Sequence, residues 1–239
     1  MNFHIITLFP ESFESYLNVS IVKRAQKEGY IGIEYYNPRD FVLPRRSSLI
    51  RAEAGKPSKK SKKMTYAERR IDDRPYGGGP GMVIEALPIA RAIEETINKI
   101  KNKNKKIKIV FFSPSGKQFT NKVADTLKKY TDIILICGRY EGIDARIKKM
   151  FKMTDISVGP YTLTGGELPG MIVIDSIARR IDGVLGDKLS IEEERIASPD
   201  VYTRPEVIEF GKKKYRVPKV LLSGHHSKIN DWKVNRKGK

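Results

Sequence analysis

Along this chain, short apolar runs rich in β-formers alternate with stretches of helical periodicity. Phe3 to Phe9 reads as a buried strand stopped by Pro10, and Ser20 to Glu28 as a helix capped by Gly29. Ile31 to Tyr36 alternates as a strand does, and Pro88 suits the first turn of a helix reaching Ile100. Ile107 to Phe112 is a strand pattern, and Thr120 or Asn121 can cap a helix running to Lys129. Ile133 to Ile136 is apolar throughout, as a parallel strand covered on both sides would be. The series ends with a helix from Asp144 to Phe151, a strand ending near Val158, and an amphipathic helix from Pro169 through Ile172, Asp175, Ile177 and Arg179. This order predicts an α/β fold, a mostly parallel sheet with helices on both faces.

Two stretches break the pattern. Residues 43–71 carry no apolar periodicity and read as a surface loop, which ends in Asp72-Asp73-Arg74-Pro75-Tyr76-Gly77-Gly78-Gly79-Pro80-Gly81-Met82. The glycines and prolines there define backbone shape and close approach rather than a regular element. Beyond Gly183 the signal weakens. The expected organisation is an α/β domain over 1–186, a linker over 187–200, and a small, basic, helical unit over 201–239.

Charge changes the picture more than composition does. The net charge is +18, but residues 45–74 carry +7, residues 99–108 carry +6 and residues 212–239 carry +9, leaving −4 on the rest. A near-neutral body with basic appendages suits a polyanion such as RNA. No apolar run reaches the ~20 residues of a membrane helix. The N-terminus lacks the pattern of a secretory signal, and Cys137 is the single cysteine, so a reducing cytoplasm is the expected location. His4, His225 and His226 are the only histidines, so no metal site is expected. His4, inside an apolar strand, reads as a satisfied core residue.

Candidate chemistry gathers where parallel strands end, since ligands of α/β folds bind there. Ser113-Pro114-Ser115-Gly116 follows one strand, Cys137-Gly138-Arg139-Tyr140-Glu141-Gly142-Ile143-Asp144 the next, and Gly159-Pro160-Tyr161-Thr162-Leu163-Thr164-Gly165-Gly166-Glu167-Leu168-Pro169 the last. Together they can wall a pocket with accessible backbone N–H and C=O groups, which suits a nucleoside. Neither a phosphate-cradling glycine motif nor a G-x-S-x-G nucleophile is present.

These segments resemble the bacterial tRNA (guanine-37-N1)-methyltransferases of the knotted SPOUT class. The resemblance rests on Thr7 to Glu11, Pro38 to Phe41, Asp72 to Met82, Ser113 to Gly116, Cys137 to Asp144, Leu163 to Pro169, Ile174 to Ser176, Gly183 to Gly186, Tyr202 to Val207 and Val220 to Gly224. It implies a deep trefoil knot in an S-adenosylmethionine-binding catalytic domain over 1–186, a linker over 187–200 carrying the candidate base, and a shortened tRNA-binding domain over 201–239. It also implies a homodimer with each active site between subunits, tRNA as partner, and S-adenosylmethionine as methyl donor. The implied donor walls are Phe111, Phe112, Ser113, Pro114 and Gly116 from the first loop. The second contributes Gly138, Arg139, Tyr140, Glu141 and Gly142. The third contributes Val158, Gly159, Pro160, Tyr161, Thr162, Leu163, Gly165, Gly166 and Pro169. For catalysis the family pairs an Asp base with an Arg, and the matching positions here are Glu194 and Arg179, with Glu193 next if the register differs by one.

The chain departs from the family in four ways. Family members commonly carry an acid where Pro160 stands and an Asp where Glu194 stands. The loop from Arg45 to Ile71 is expected to be about twenty residues longer than usual, against the short loops typical of compact domains, and the C-terminal helix ends soon after Trp232. Two alternatives therefore stay open: a knotted methyltransferase acting on another RNA, or a basic RNA-binding protein that has lost catalysis. If the basic stretches grip phosphates, RNA affinity falls with salt at a log–log slope of about −0.7 to −0.9 per contact. Neutralising Lys59, Lys60, Lys62 and Lys63 together should flatten that slope in a salt titration; an unchanged slope would make the run a solvated surface.

Overall fold

The computed structural model describes residues 1–42, 69–100, 105–186 and 200–236. The chain divides into two compact units, Met1–Val184 and Leu185–Lys239. The first opens with β1 (Asn2–Ile6), a 3-10 turn over Pro10–Phe13, α1 (Glu14–Leu17), α2 (Ser20–Lys27) and β2 (Gly32–Tyr36). A ribbon of β3 (Asp72–Asp73) and β4 (Val83–Ile84) leads to α3 (Ala86–Lys99) and β5 (Ile107–Gln118). Then come α4 (Asn121–Leu127), β6 (Asp132–Ile136), α5 (Ile147–Met150), β7 (Thr154–Ser157) and α6 (Glu167–Ala178).

Five strands form one parallel sheet in the order β2-β1-β6-β5-β7. Alternate strand residues feed two cores. Phe3, Ile5, Val110, Phe112, Ile133 and Leu135 pack with Val22 and Ala25 of α2, Leu127 of α4, and Val173, Ile174 and Ile177 of α6. Ile6, Ile109, Phe111, Ile134 and Ile136 pack on the opposite side with Ile89 and Ile93 of α3 and Ile147 of α5. Helices thus cover both faces, and central β6 is buried at every position, which explains its unbroken apolar run.

The structure revises four expectations. β5 runs on to Gln118, because Phe112 and Lys117 both lie opposite Ile156 and the residues between them loop out of the ladder. Residues 144–151 give only the short α5. Asp144 accepts hydrogen bonds from the Arg146 backbone and side chain, a local arrangement that competes with a helical start. α6 begins at Glu167, and its outer side is apolar rather than polar, with Leu168 and Ile172 exposed.

The fourth revision concerns the second unit, which is not purely helical. It contains an antiparallel hairpin, β8 (Val207–Phe210) and β9 (Lys213–Arg216), followed by α7 (Lys219–Leu222) and α8 (His226–Arg236). Two residues, Gly211 and Lys212, make the turn, with Gly211 at φ +62°. The alternating Ile208, Phe210 and Tyr215 were the available strand signal, hidden in sequence by the surrounding lysines.

His4 is buried, as the sequence suggests, and it belongs to a polar cluster at the base of the sheet. The fully buried Asp132 carboxylate lies 3.1 Å from His4 Nε2, accepts from Asn2 Nδ2 at 3.1 Å, and lies 3.3 Å from Lys105 Nζ. Burial alone would raise its pKa, but hydrogen bonds from His4, Thr131 and Asn2 and the Lys105 charge outweigh burial and hold it below the ordinary value. A depressed carboxyl stabilises the fold above the unfolded pKa of about 3.9 and loses that contribution as pH falls through the folded value. Urea unfolding between pH 7 and pH 3 should show stability dropping below about pH 4. Asp132→Ala should cost on the order of 3 kcal/mol at pH 7, by stranding buried partners, and should flatten the acid dependence.

Candidate functional site

Because β5, β6 and β7 are parallel and β5 pairs with both neighbours, their carboxyl ends and following loops lie side by side. The loops enclose a cavity of about 240 Å³. Phe111, Phe112, Ser113 and Pro114 line it from the first loop, and Gly138, Arg139, Tyr140, Glu141 and Gly142 from the second. Val158, Tyr161, Thr162, Leu163, Gly165, Gly166 and Pro169 line it from the third. Thr164, part of the third-loop motif, lines it too, so the sequence reading missed only Ile156 and Ser157. Both are the end of β7 itself, where the strand's last residues face the loops they lead to.

Three expected wall residues lie elsewhere. A β-carbon on Gly116 would stand 2.6 Å from the Ile156 nitrogen, so this glycine lets the β5 excursion lie against the β7 backbone. Gly159 faces the Tyr161 ring, and Pro160 is exposed. None of the three lines the cavity.

Backbone contacts hold the loops together. The Gly166 amide donates to the Gly138 carbonyl at 2.9 Å, and Arg139 and Gly165 form an antiparallel bridge. On the other side, the glycine-rich segment after β3 joins the second loop. Glu141 N donates to Met82 O at 3.0 Å and Ile84 N to Gly142 O at 2.9 Å. Gly81, at φ +84°, leaves room for the Glu141 carboxylate, which a β-carbon there would meet at 2.6 Å. Tyr76, within that segment, is fully exposed.

A polar network underlies the cavity floor. Glu167 is buried at the start of α6 and accepts from Thr7 Oγ1 at 2.8 Å, while Thr7 Oγ1 accepts from Phe9 N at 3.0 Å. Arg139 Nε approaches Glu167 Oε2 to 2.9 Å, although its N–H is not aimed at that oxygen, and the guanidinium stacks 4.7 Å from the Phe9 ring centroid. Burial, and then the nearby Glu167 charge, push the Cys137 thiol well above its ordinary pKa, which argues against a thiolate nucleophile.

Comparison with known proteins decides the family. The model described as tRNA (Guanine-1)-methyltransferase TrmD matches residues 1–53 and 59–239. The tRNA (guanine-N(1)-)-methyltransferase of Clostridioides difficile (strain 630) is 41% identical over 98% of this chain and 90% of its own length. That of Carboxydothermus hydrogenoformans is 40% identical over 98% of this chain and 81% of its own. A crystal structure of tRNA (m1G37) methyltransferase from Aquifex aeolicus superimposes with a TM-score of 0.72 at 32% identity, covering 99% of this chain and 89% of that one. The chain belongs to the tRNA (guanine-1)-methyltransferase family.

Residues 54–58, inside the basic loop that the sequence reading expects to be long, are the only ones outside the family match. Among the candidate catalytic residues, Arg179 caps the C-terminal end of α6 and is half-buried, and it does not line the cavity. Its neighbour Arg180 is buried and structural: Nη1 donates to Ser176 O at 2.7 Å, and Nε lies 3.2 Å from Asp125. Glu193, Glu194 and the lysines from Lys59 to Lys63 lie outside the described residues.

The two glycines at the heart of the site should respond differently to one methyl group. A β-carbon on Gly166 would stand 2.6 Å from the Cys137 Cα, whereas one on Gly138 would meet only Ile143 and Phe111 side-chain atoms at 3.4 Å or more. Gly166→Ala should therefore lose about 1–3 kcal/mol, the range of an overpacked core. Gly138→Ala should unfold at nearly the wild-type urea midpoint. Equal midpoints would contradict the close approach.

Proposed function

We propose that this chain transfers a methyl group from S-adenosylmethionine to N1 of guanine 37 in tRNA, as a cytoplasmic homodimer with a deep trefoil knot. The observation that carries the reading is the convergence of the three strand-end loops on one cavity, in a chain that matches the family over nearly its whole length. The chain path supports the knot. From β7 at the sheet edge it runs back past β5 to lie against Cys137 and Gly138 at the end of β6, then enters α6 beneath the sheet.

The cavity's chemistry fits the donor. Gly138, Gly142, Gly165 and Gly166 expose backbone groups for an adenine edge and a ribose, while Phe111, Leu163 and Pro169 supply apolar wall. Bound there, S-adenosylmethionine supplies an electrophilic methyl group. The protein's own residues must then remove the N1 proton of guanine and stabilise charge growing on the adjacent carbonyl oxygen. Glu194 takes the first role and Arg179 the second. Glutamate is competent, since its unperturbed pKa exceeds that of aspartate by only about 0.4 units.

The position of Arg179 supports the dimer. Pro169 touches the cavity and Arg179 lies ten residues further along the same helix, about 15 Å at 1.5 Å per residue. An arginine side chain does not span that gap back to its own cavity, so it serves a second copy's site. Exposed Leu168 and Ile172 on α6 give that copy an apolar surface to cover. Among the described residues no helix is long and apolar enough to cross a membrane, consistent with an enzyme meeting tRNA in the cytoplasm.

Single-turnover methylation of unmodified tRNA, with donor affinity measured by calorimetry, tests the roles. Glu194→Gln should slow the chemical step by ~10²–10⁴-fold while donor affinity stays the same. Arg179→Ala should slow the same step, also without loss of donor affinity. Full single-turnover activity in Glu194→Gln would remove that residue from the base position and turn attention to Glu193.

A further inference from the structure

The β8–β9 hairpin carries two unlike faces. On one, Glu209 pairs with Lys214 at 2.7 Å, beside the Val207–Arg216 pair. On the other, Ile208 stands opposite Tyr215 and Phe210 opposite Lys213. Their exposure is 51% for Ile208, 54% for Tyr215 and 78% for Phe210. Two aromatic rings and a branched aliphatic side chain on one small, open face are unusual for a surface with no ligand.

The surrounding charge indicates what covers them. Residues 207–216 hold Lys212, Lys213, Lys214 and Arg216 against Glu209 alone, a net +3 on ten residues. Exposed rings interleaved with cations are the chemistry of unpaired nucleotides: bases stack on the rings while lysines meet the phosphates. Bases inside a continuous helix stay stacked on each other and offer no free face to a ring. None of the residues that line the cavity comes from this hairpin.

We propose that, within the basic C-terminal unit, the Ile208–Phe210–Tyr215–Lys213 face is a stacking platform for unpaired bases of the tRNA substrate. This rests on the tRNA methyltransferase reading above. Phe210, near the tip, and Tyr215 supply the rings, Ile208 fills the space beside Tyr215, and Lys213 neutralises the backbone of the stacked nucleotide.

The test uses the full chain, a fluorescently labelled tRNA transcript in binding titrations, and light scattering for oligomeric state. Phe210→Ala and Tyr215→Ala should each weaken tRNA binding about tenfold, within the range measured for lost base stacking. Donor affinity and oligomeric state should not change, since neither residue lies at the cavity. Phe210→Trp should keep wild-type affinity because it preserves a ring, while Phe210→Leu should behave like the alanine variant. Wild-type affinity in the Phe210→Ala/Tyr215→Ala double variant would overturn the platform. So would rescue by leucine, which would reduce it to a plain apolar contact, or a loss of dimer that accounts for the weakened binding. A wild-type chain that binds tRNA and methylates it while the double variant matches it sinks the platform alone. A wild-type chain without methyl transfer sinks the function beneath it.

Discussion

Between residues 166 and 137 two main chains approach so closely that a β-carbon on Gly166 would stand 2.6 Å from the Cys137 Cα, with the Gly166 amide donating to Gly138 O at 2.9 Å. This contact fixes the third loop to the second, and α6 begins at the next residue. Glycine is required there for space rather than for φ, since only its missing side chain lets the strands' ends meet. With that contact in place, Thr164, Gly165 and Gly166 form one wall of the cavity and Gly138 to Gly142 the facing one. Without it, the third loop would stand away from the sheet.

The same approach buries Glu167 immediately after Gly166, and a carboxylate at 3% exposure needs partners. Thr7 donates to one oxygen, and Arg139 brings a positive charge to the other, itself backed by the Phe9 ring. Such a buried pair adds little net stability, because desolvation of both ions offsets most of their attraction. Removing one member costs more, since the other is left charged and unpaired. The network therefore acts as a positional constraint. It ties the segment after β1, the second loop and the start of α6 to one geometry, so the cavity's shape depends on residues that sequence alone does not connect.

Much of the fold was legible because strand and helix periodicities are local. Ile133 to Ile136 announced a strand buried on both faces, and Ser20 to Gly29 announced a helix with its cap. The loops were legible because glycine and proline at strand ends leave few other readings. What failed was decided at a distance. The outer side of α6 is apolar in a way that Asp175 and Arg179 disguised, and the hairpin of the second unit hid among lysines. Gly116 looked like a pocket glycine, but the β7 backbone claims it. The bond between Thr7 and Glu167 spans 160 residues, and no local pattern could have found it.

The charge distribution adds a final constraint on the chemistry. The chain carries +18, with +22 in the stretches 45–74, 99–108 and 212–239, where a polyanion would be gripped, and −4 elsewhere. The proposed donor, however, carries a sulfonium cation, and a basic pocket would repel it. The cavity avoids this. Among the described residues its one arginine, Arg139, lies against the Glu167 carboxylate, Glu141 adds an acid, and the rest of the lining is apolar or uncharged. Attraction of the nucleic acid needs only charge and tolerates loose geometry, whereas donor binding needs fixed backbone and local neutrality. The structure keeps these requirements in different residues: among the described residues, none of the basic stretches contributes to the cavity lining.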